Sequence, residues 1–163
     1  MASGDTLLVF TPLSGEPPTA NAAAFDLRNN HPIWAFDGSA NEEIVFSGVM
    51  PQAYAGGGVD VYIHYATQAT DQDDIDWDAA FERVGDQQQD IDSDGFAAVQ
   101  SVNGTATPAT SGLVDIVSIP FTDGAQMDSV AVGEGFRIKI TRDAVSDVMT
   151  EDAQLFRVEI RET

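Results

Sequence analysis

The stretch Gly48–Gln68, GVMPQAYAGGGVDVYIHYATQ, decides the fold class. From Val59 onward, Val59, Val61, Ile63 and Tyr65 alternate with Asp60, Tyr62, His64 and Ala66. That period of two predicts a strand with one apolar and one wetter face. Gly56, Gly57 and Gly58 precede it and permit the positive φ angles and close backbone approach of a tight corner. A glycine loop that cradles phosphate opens a helix, whereas here a strand follows, so the run reads as a corner.

Working outward, the same alternation recurs on both sides. Glu43–Met50 is a strand closed by Pro51, and Ile75, Trp77, Ala79 and Phe81 mark another. Leu113–Phe121 is apolar and β-branched, with Pro120 placing its end at a sheet edge or bulge. Glu134–Thr141 sets Phe136, Ile138 and Ile140 against Arg137, Lys139 and Thr141. Leu155–Glu162 repeats the design, with Phe156, Val158 and Ile160 inward and Arg157, Glu159 and Arg161 outward. Toward the N-terminus, Ala23–Arg28 and Pro32–Phe36 flank the turn residues Asn29, Asn30 and His31. Phe96–Val102 suits a strand or a turn of helix, and Gly104–Gly112 reads as a connection.

Short strands without an amphipathic helix of three turns predict an all-β protein. An antiparallel β-sandwich of jelly-roll type is the first expectation and an immunoglobulin-like sandwich the second. The 163 residues fit one domain with a sizeable core. Thr6–Thr11 is a short β run, and PLSGEPP at Pro12–Pro18 interrupts it. Residues 1–18 are therefore expected to form an N-terminal strand or arm, and 19–163 a single sandwich domain.

The charge is lopsided: 27 acidic against 7 basic residues give a formal net charge of -20, and Lys139 is the only lysine. Such a surface repels nucleic-acid backbones and anionic membranes, so neither is an expected partner. It also predicts a fold stabilised by added salt, which a melting temperature rising with NaCl would check. No cysteine is present, which excludes disulfides, thiol nucleophiles and thiolate metal sites. MASGDTLLVF has no basic n-region, and no apolar stretch approaches membrane-spanning length. Neither a signal peptide nor a membrane span is expected.

Three groups of residues invite a functional reading. Asp90, Asp92, Asp94 and Gly95 spell the first half of an EF-hand-type calcium loop, but Ser101 stands where the bidentate Glu belongs. Calcium is thus the one cofactor considered, with a solvated Asx turn as the alternative. Among the aromatics, Trp77 and Tyr65 fall on apolar strand faces, which leaves Trp34, Tyr54 and Tyr62 as candidates for stacking on sugar rings. His31 and His64 lie on different segments, no G-x-S-x-G elbow occurs, and no carboxylate pair stands out, so no enzyme is expected.

FDLRNNHP at Phe25–Pro32, GVMPQAYAGGG at Gly48–Gly58 and the following WDAAFER, with DIDSDGF, GAQMDSV and the terminal VEIRET, carry a family resemblance. Together they resemble small virion structural proteins of tailed phages and environmental viruses. The resemblance implies a capsid decoration protein, or a head-fibre or tail part, made in the host cytoplasm and carried on the virion. It implies a homo-oligomer, with a trimer expected, seated on the major capsid protein or other virion proteins. Leu7, Leu8, Val9 and Phe10 are then the expected contact strand. The alternative is a carbohydrate-binding jelly-roll module, or a fibre component that contacts a host surface glycan.

Overall fold

The computed structural model describes residues 3–163. The alternating stretches become strands: β1 (Thr6–Phe10), β2 (Gly15–Glu16), β3 (Ala24–Arg28), β4 (His31–Phe36), β5 (Glu42–Val49) and β6 (Val59–Thr67) in the first part of the chain. β7 (Asp74–Val84), β8 (Gln100–Ala106), β9 (Val114–Phe121), β10 (Gly135–Arg142) and β11 (Ala153–Glu162) follow. One sheet runs β3-β4-β11-β6-β9, with β1 also paired to β11; the other runs β2-β5-β10-β7-β8. The named strands pair antiparallel throughout.

The apolar faces meet between the sheets. Val59, Val61, Ile63 and Tyr65 of β6 face Ile75, Trp77, Ala79 and Phe81 of β7 and Phe136, Ile138 and Ile140 of β10 within one buried cluster. Ring contacts lock the layers, with Phe36 and Tyr65 edge-on to Trp77 at 5.1 and 5.4 Å and Phe81 edge-on to Phe121 at 4.9 Å. The glycine corner feeds this core. Gly58 has φ 105°, and a Cβ there would lie 2.4 Å from the Phe121 carbonyl oxygen, so only glycine lets β6 start this close to β9.

Of the strand or arm expected at the N-terminus, the described residues form the strand β1, paired to the sandwich. β4 pairs with β11 only over Ala153–Leu155, and β1 takes up the same edge farther along, with Leu8 opposite Ile160 and Phe10 opposite Val158. Phe10 is buried, stacking on Phe46 at 5.5 Å, and Leu7 and Leu8 pack on the core. Of the four expected contact residues only Val9 is exposed. β1 is thus paired along one edge, with β11. Residues 1 and 2 of the expected arm lie outside the described residues, and the rest of 3–18 is continuous with the sandwich.

Two other expectations need correction. β8 extends through Gly104, at φ 66°, where the β7–β8 register shifts and the Gly104 N–H donates to Asp76 at 2.6 Å. A glycine bulge therefore lies inside a strand rather than opening a connection. In β11 the register shifts between Leu155 and Arg157, so Leu155 stays in the core while Phe156 turns to the outer face. The extra residue of the bulge reverses the side expected for Phe156.

Candidate functional site

The outer faces of the two sheets differ. Over the β2-β5-β10-β7-β8 sheet, the segment between β7 and β8 lays Phe96 on Arg137 and Lys139, at 5.4 and 4.9 Å from the ring centroid. Gln89 and Arg137 both hold Glu82 at 2.8 Å beneath it. The outer face of the other sheet carries an open cleft of about 380 Å³. That volume falls within the range of small-ligand sites.

Each wall of this cleft has a local cause. Asn29 and Asn30, at φ 47° and 63°, form the two-residue left-handed turn that joins β3 to β4. The turn brings Arg28, Asn29 and His31 to one rim. Ile33 of β4, Ala66 of β6, Val114 of β9 and Phe156 of β11 make an apolar floor across four strands, with Gln154 beside them. The loop before β9 closes the other side through Gly112, whose N–H donates to the Thr67 carbonyl at 2.9 Å. Its φ of 83° and the 3.0 Å from a Cβ there to the Arg28 guanidinium make glycine the residue that lets the loop pass.

The Arg28 guanidinium crosses the sheet. It donates to the Thr67 carbonyl at 3.0 Å, to Gln154 Oε1 at 2.5 Å and to Ser111 Oγ at 3.0 Å. Three elements are thereby fixed around one charge. Next to the cleft, the Phe156 ring is edge-on to His64 at 6.1 Å and carries the Arg157 guanidinium at 5.9 Å. His64 faces outward as its strand phase predicts, yet neighbouring side chains bury it, and burial holds its pKa below the ordinary value. Its Nε2 lies 3.4 Å from Glu159. Glu159 is gripped by Arg161 at 2.9 and 2.8 Å and by the Thr6 hydroxyl, which together hold its carboxyl down to about 2.

The three aromatics expected to form a sugar platform are not brought together. Trp34 is buried in the core and donates its indole N–H to the Pro12 carbonyl at 2.8 Å. Tyr54 lies near the opposite end of β6, buried, with its hydroxyl donating to Asp123 at 2.7 Å and accepting from the Gly58 N–H at 3.1 Å. Tyr62 does face outward, but Arg161 covers its ring at 4.0 Å and it does not line the cleft. Buried Trp and Tyr find hydrogen-bond partners, and these two occupy theirs within the fold. Phe156, which the simple alternation turns inward, is the aromatic at the cleft.

The aspartates of the EF-hand-like stretch do not converge on a common point. Asp94 accepts from the Asp90 N–H at 2.8 Å, and Asp90 accepts from the Asp92 N–H at 3.1 Å, so the carboxylates brace their own turn. Among the described residues, no three His, Cys, Asp or Glu side chains are gathered as metal ligands. The Asx turn is the arrangement this stretch adopts.

Fold and cleft define a class first: an antiparallel β-sandwich of jelly-roll type with an open hollow on one outer sheet face. Solved structures share the architecture. The xylan-binding module CBM15 is 8% identical with a TM-score of 0.52, and the alignment covers 96% of this chain and 97% of that one. The CBM22-1 xylan-binding domain of Paenibacillus barcinonensis Xyn10C is 12% identical with a TM-score of 0.50, covering 99% and 96%. PfGH50B is 12% identical with a TM-score of 0.54, but the alignment covers 98% of this chain and only 24% of that longer one. At these identities the likeness is one of fold. No protein-family model matches the chain, and no curated protein does.

Proposed function

We propose that this chain is a non-catalytic carbohydrate-binding module whose ligand lies in the cleft on the outer face of the six-stranded sheet. The observation that carries the reading is the cleft's make-up: an apolar floor of Ile33, Val114 and Phe156 rimmed by Arg28, Asn29, His31 and Gln154. Sugar rings present apolar C–H faces and polar hydroxyl edges, and a floor and rim of this kind match them. The jelly-roll neighbours CBM15 and CBM22-1 are named for binding xylan, which supports the same class of ligand. Glycoside hydrolysis ordinarily uses two carboxylates about the scissile bond, and no Asp or Glu is among the cleft's lining residues.

In this reading the virion resemblance concerns where the module is displayed, on a fibre or capsid surface facing a host glycan. The expected contact strand Leu7–Phe10 is paired with β11 along one edge and exposes Val9, and the glycan reading assigns it no part in binding. Affinity electrophoresis against a panel of soluble polysaccharides that includes xylan tests the proposal. Retardation by at least one polysaccharide, weakened in Phe156→Ala, is the expected result. No retardation by any of them, or release of reducing sugar, overturns it.

A further inference from the structure

We infer that the glycan bound in this cleft carries a carboxylate, as a hexuronic acid does, and that Arg28 grips that group; this rests on the carbohydrate-binding reading above. The starting point is an anomaly of charge. The chain has seven basic residues and 27 acidic ones, so every cation has acids to pair with. Arg83, Arg137, Lys139, Arg142 and Arg161 each form an ion pair. Among the described residues Arg28 and Arg157 form none, and both stand at this cleft: Arg28 lines it, and Arg157 lies over the Phe156 ring that lines it.

The donors of Arg28 sharpen the point. A guanidinium has five N–H groups and no acceptor. Nη1 uses two on Thr67 and Gln154, and Nη2 uses one on Ser111, all of them neutral acceptors. Among the described residues, the Nε–H and one Nη2–H have no hydrogen-bond acceptor. Elsewhere in this molecule Nε and Nη2 grip a carboxylate together: Arg83 holds Glu134 this way, and Arg161 holds Glu159. Arg28 is therefore fixed by neutral partners and still presents donors for a planar anion.

The cleft lining contains no Asp or Glu, and His31 stands on the same rim with its Nδ1 3.2 Å from the Arg28 carbonyl oxygen. Asp26, two residues back on β3, accepts from the Leu27 N–H at 2.7 Å and makes no ion pair with Arg28. A local cationic spot in a protein of net charge -20 does not arise from a general surplus of basic residues. At contact distance the local pair governs, since charges beyond about 10 Å are largely screened at moderate salt.

Isothermal titration with two matched pairs of oligosaccharides tests this. One pair is a galacturonate hexamer and its carboxyl-reduced galactose form; the other is xylohexaose with and without a glucuronic acid branch. In at least one pair the acidic member is expected to bind about tenfold more tightly, the scale of a charge-assisted hydrogen-bond pair. That ratio should fall toward one in Arg28→Gln and in Arg28→Lys, which lacks the fork, but persist in Lys139→Gln on the other sheet. Equal binding of the acidic and neutral members overturns the inference and leaves the carbohydrate-binding reading standing, as does a preference that survives both Arg28 variants. Binding of no glycan at all overturns both.

Discussion

The guanidinium of Arg142 meets the carboxylate of Asp147 at 2.9 Å, with both side chains sealed from solvent. Arg142 ends the inward row Phe136, Ile138, Ile140 of β10, so alternation alone drives a charge into the core. There it also donates to the carbonyls of Phe36, Asp37, Met149 and Glu151, tying the segment before β11 to the end of β4. Removing one partner of such a pair leaves the other buried and unpaired. Arg142→Gln is expected to lower unfolding stability by about 3–5 kcal/mol in urea melts.

The glycine corner offers a matched comparison. Gly56 and Gly58 both have positive φ, at 83° and 105°, but a Cβ at Gly56 meets open space while one at Gly58 lies 2.4 Å from the Phe121 carbonyl oxygen. Gly56→Ala should therefore cost only the left-handed backbone penalty, about 1–2 kcal/mol. Gly58→Ala adds a backbone clash and must shift β6 against β9. Thermal melts are expected to show the second variant clearly less stable than the first.

Acid should weaken the fold over two ranges of pH. His64 has a folded pKa depressed by burial, so its contribution is full above the ordinary histidine value of about 6.5 and is lost as pH falls below it. Glu159, held down to about 2 chiefly by the hydrogen bonds from Arg161, contributes fully above the ordinary glutamate value and loses that contribution as pH falls toward 2. Both slopes have the same sign. In Glu159→Gln the dependence of stability on pH between about 4.5 and 2 should flatten, as measured by denaturant midpoints across that range.

The strands were legible because most of them obey a single phase of alternation. β6, β7 and β10 each keep one apolar register from end to end, and burial between two sheets enforces it. The cleft was harder to see because its aromatic lies at a change of phase. Ala153 and Leu155 are inward at odd positions, while Val158 and Ile160 are inward at even ones. That slip by one residue was visible in the sequence and marks a bulge, but a single phase drawn through Val158 and Ile160 puts Phe156 inside. The Arg28 network joins residues 39 to 126 positions apart and leaves no local signature. The pairing of the N-terminal strand was not legible for a related reason, since nothing near Leu7–Phe10 announces the edge that β4 leaves free on β11.

Trp34 and Phe156 should separate stability from binding. Trp34 is in the core, edge-on to Phe25 at 5.5 Å, bonded to the Pro12 carbonyl and packed under Gly15, where even a Cβ would lie 2.4 Å from the indole nitrogen. Trp34→Ala removes that volume and strands the carbonyl, so it is expected to cost roughly 3–5 kcal/mol of stability. Phe156 is half-buried on the outer face, and its truncation opens no cavity between the sheets. Phe156→Ala should change stability by about 1 kcal/mol or less and lower glycan affinity about tenfold, through loss of the apolar floor on which a sugar ring rests. Denaturant melts and isothermal titration on the two variants check this. A Phe156→Ala protein that unfolds early, or that binds as tightly as the parent, would move the site away from this face.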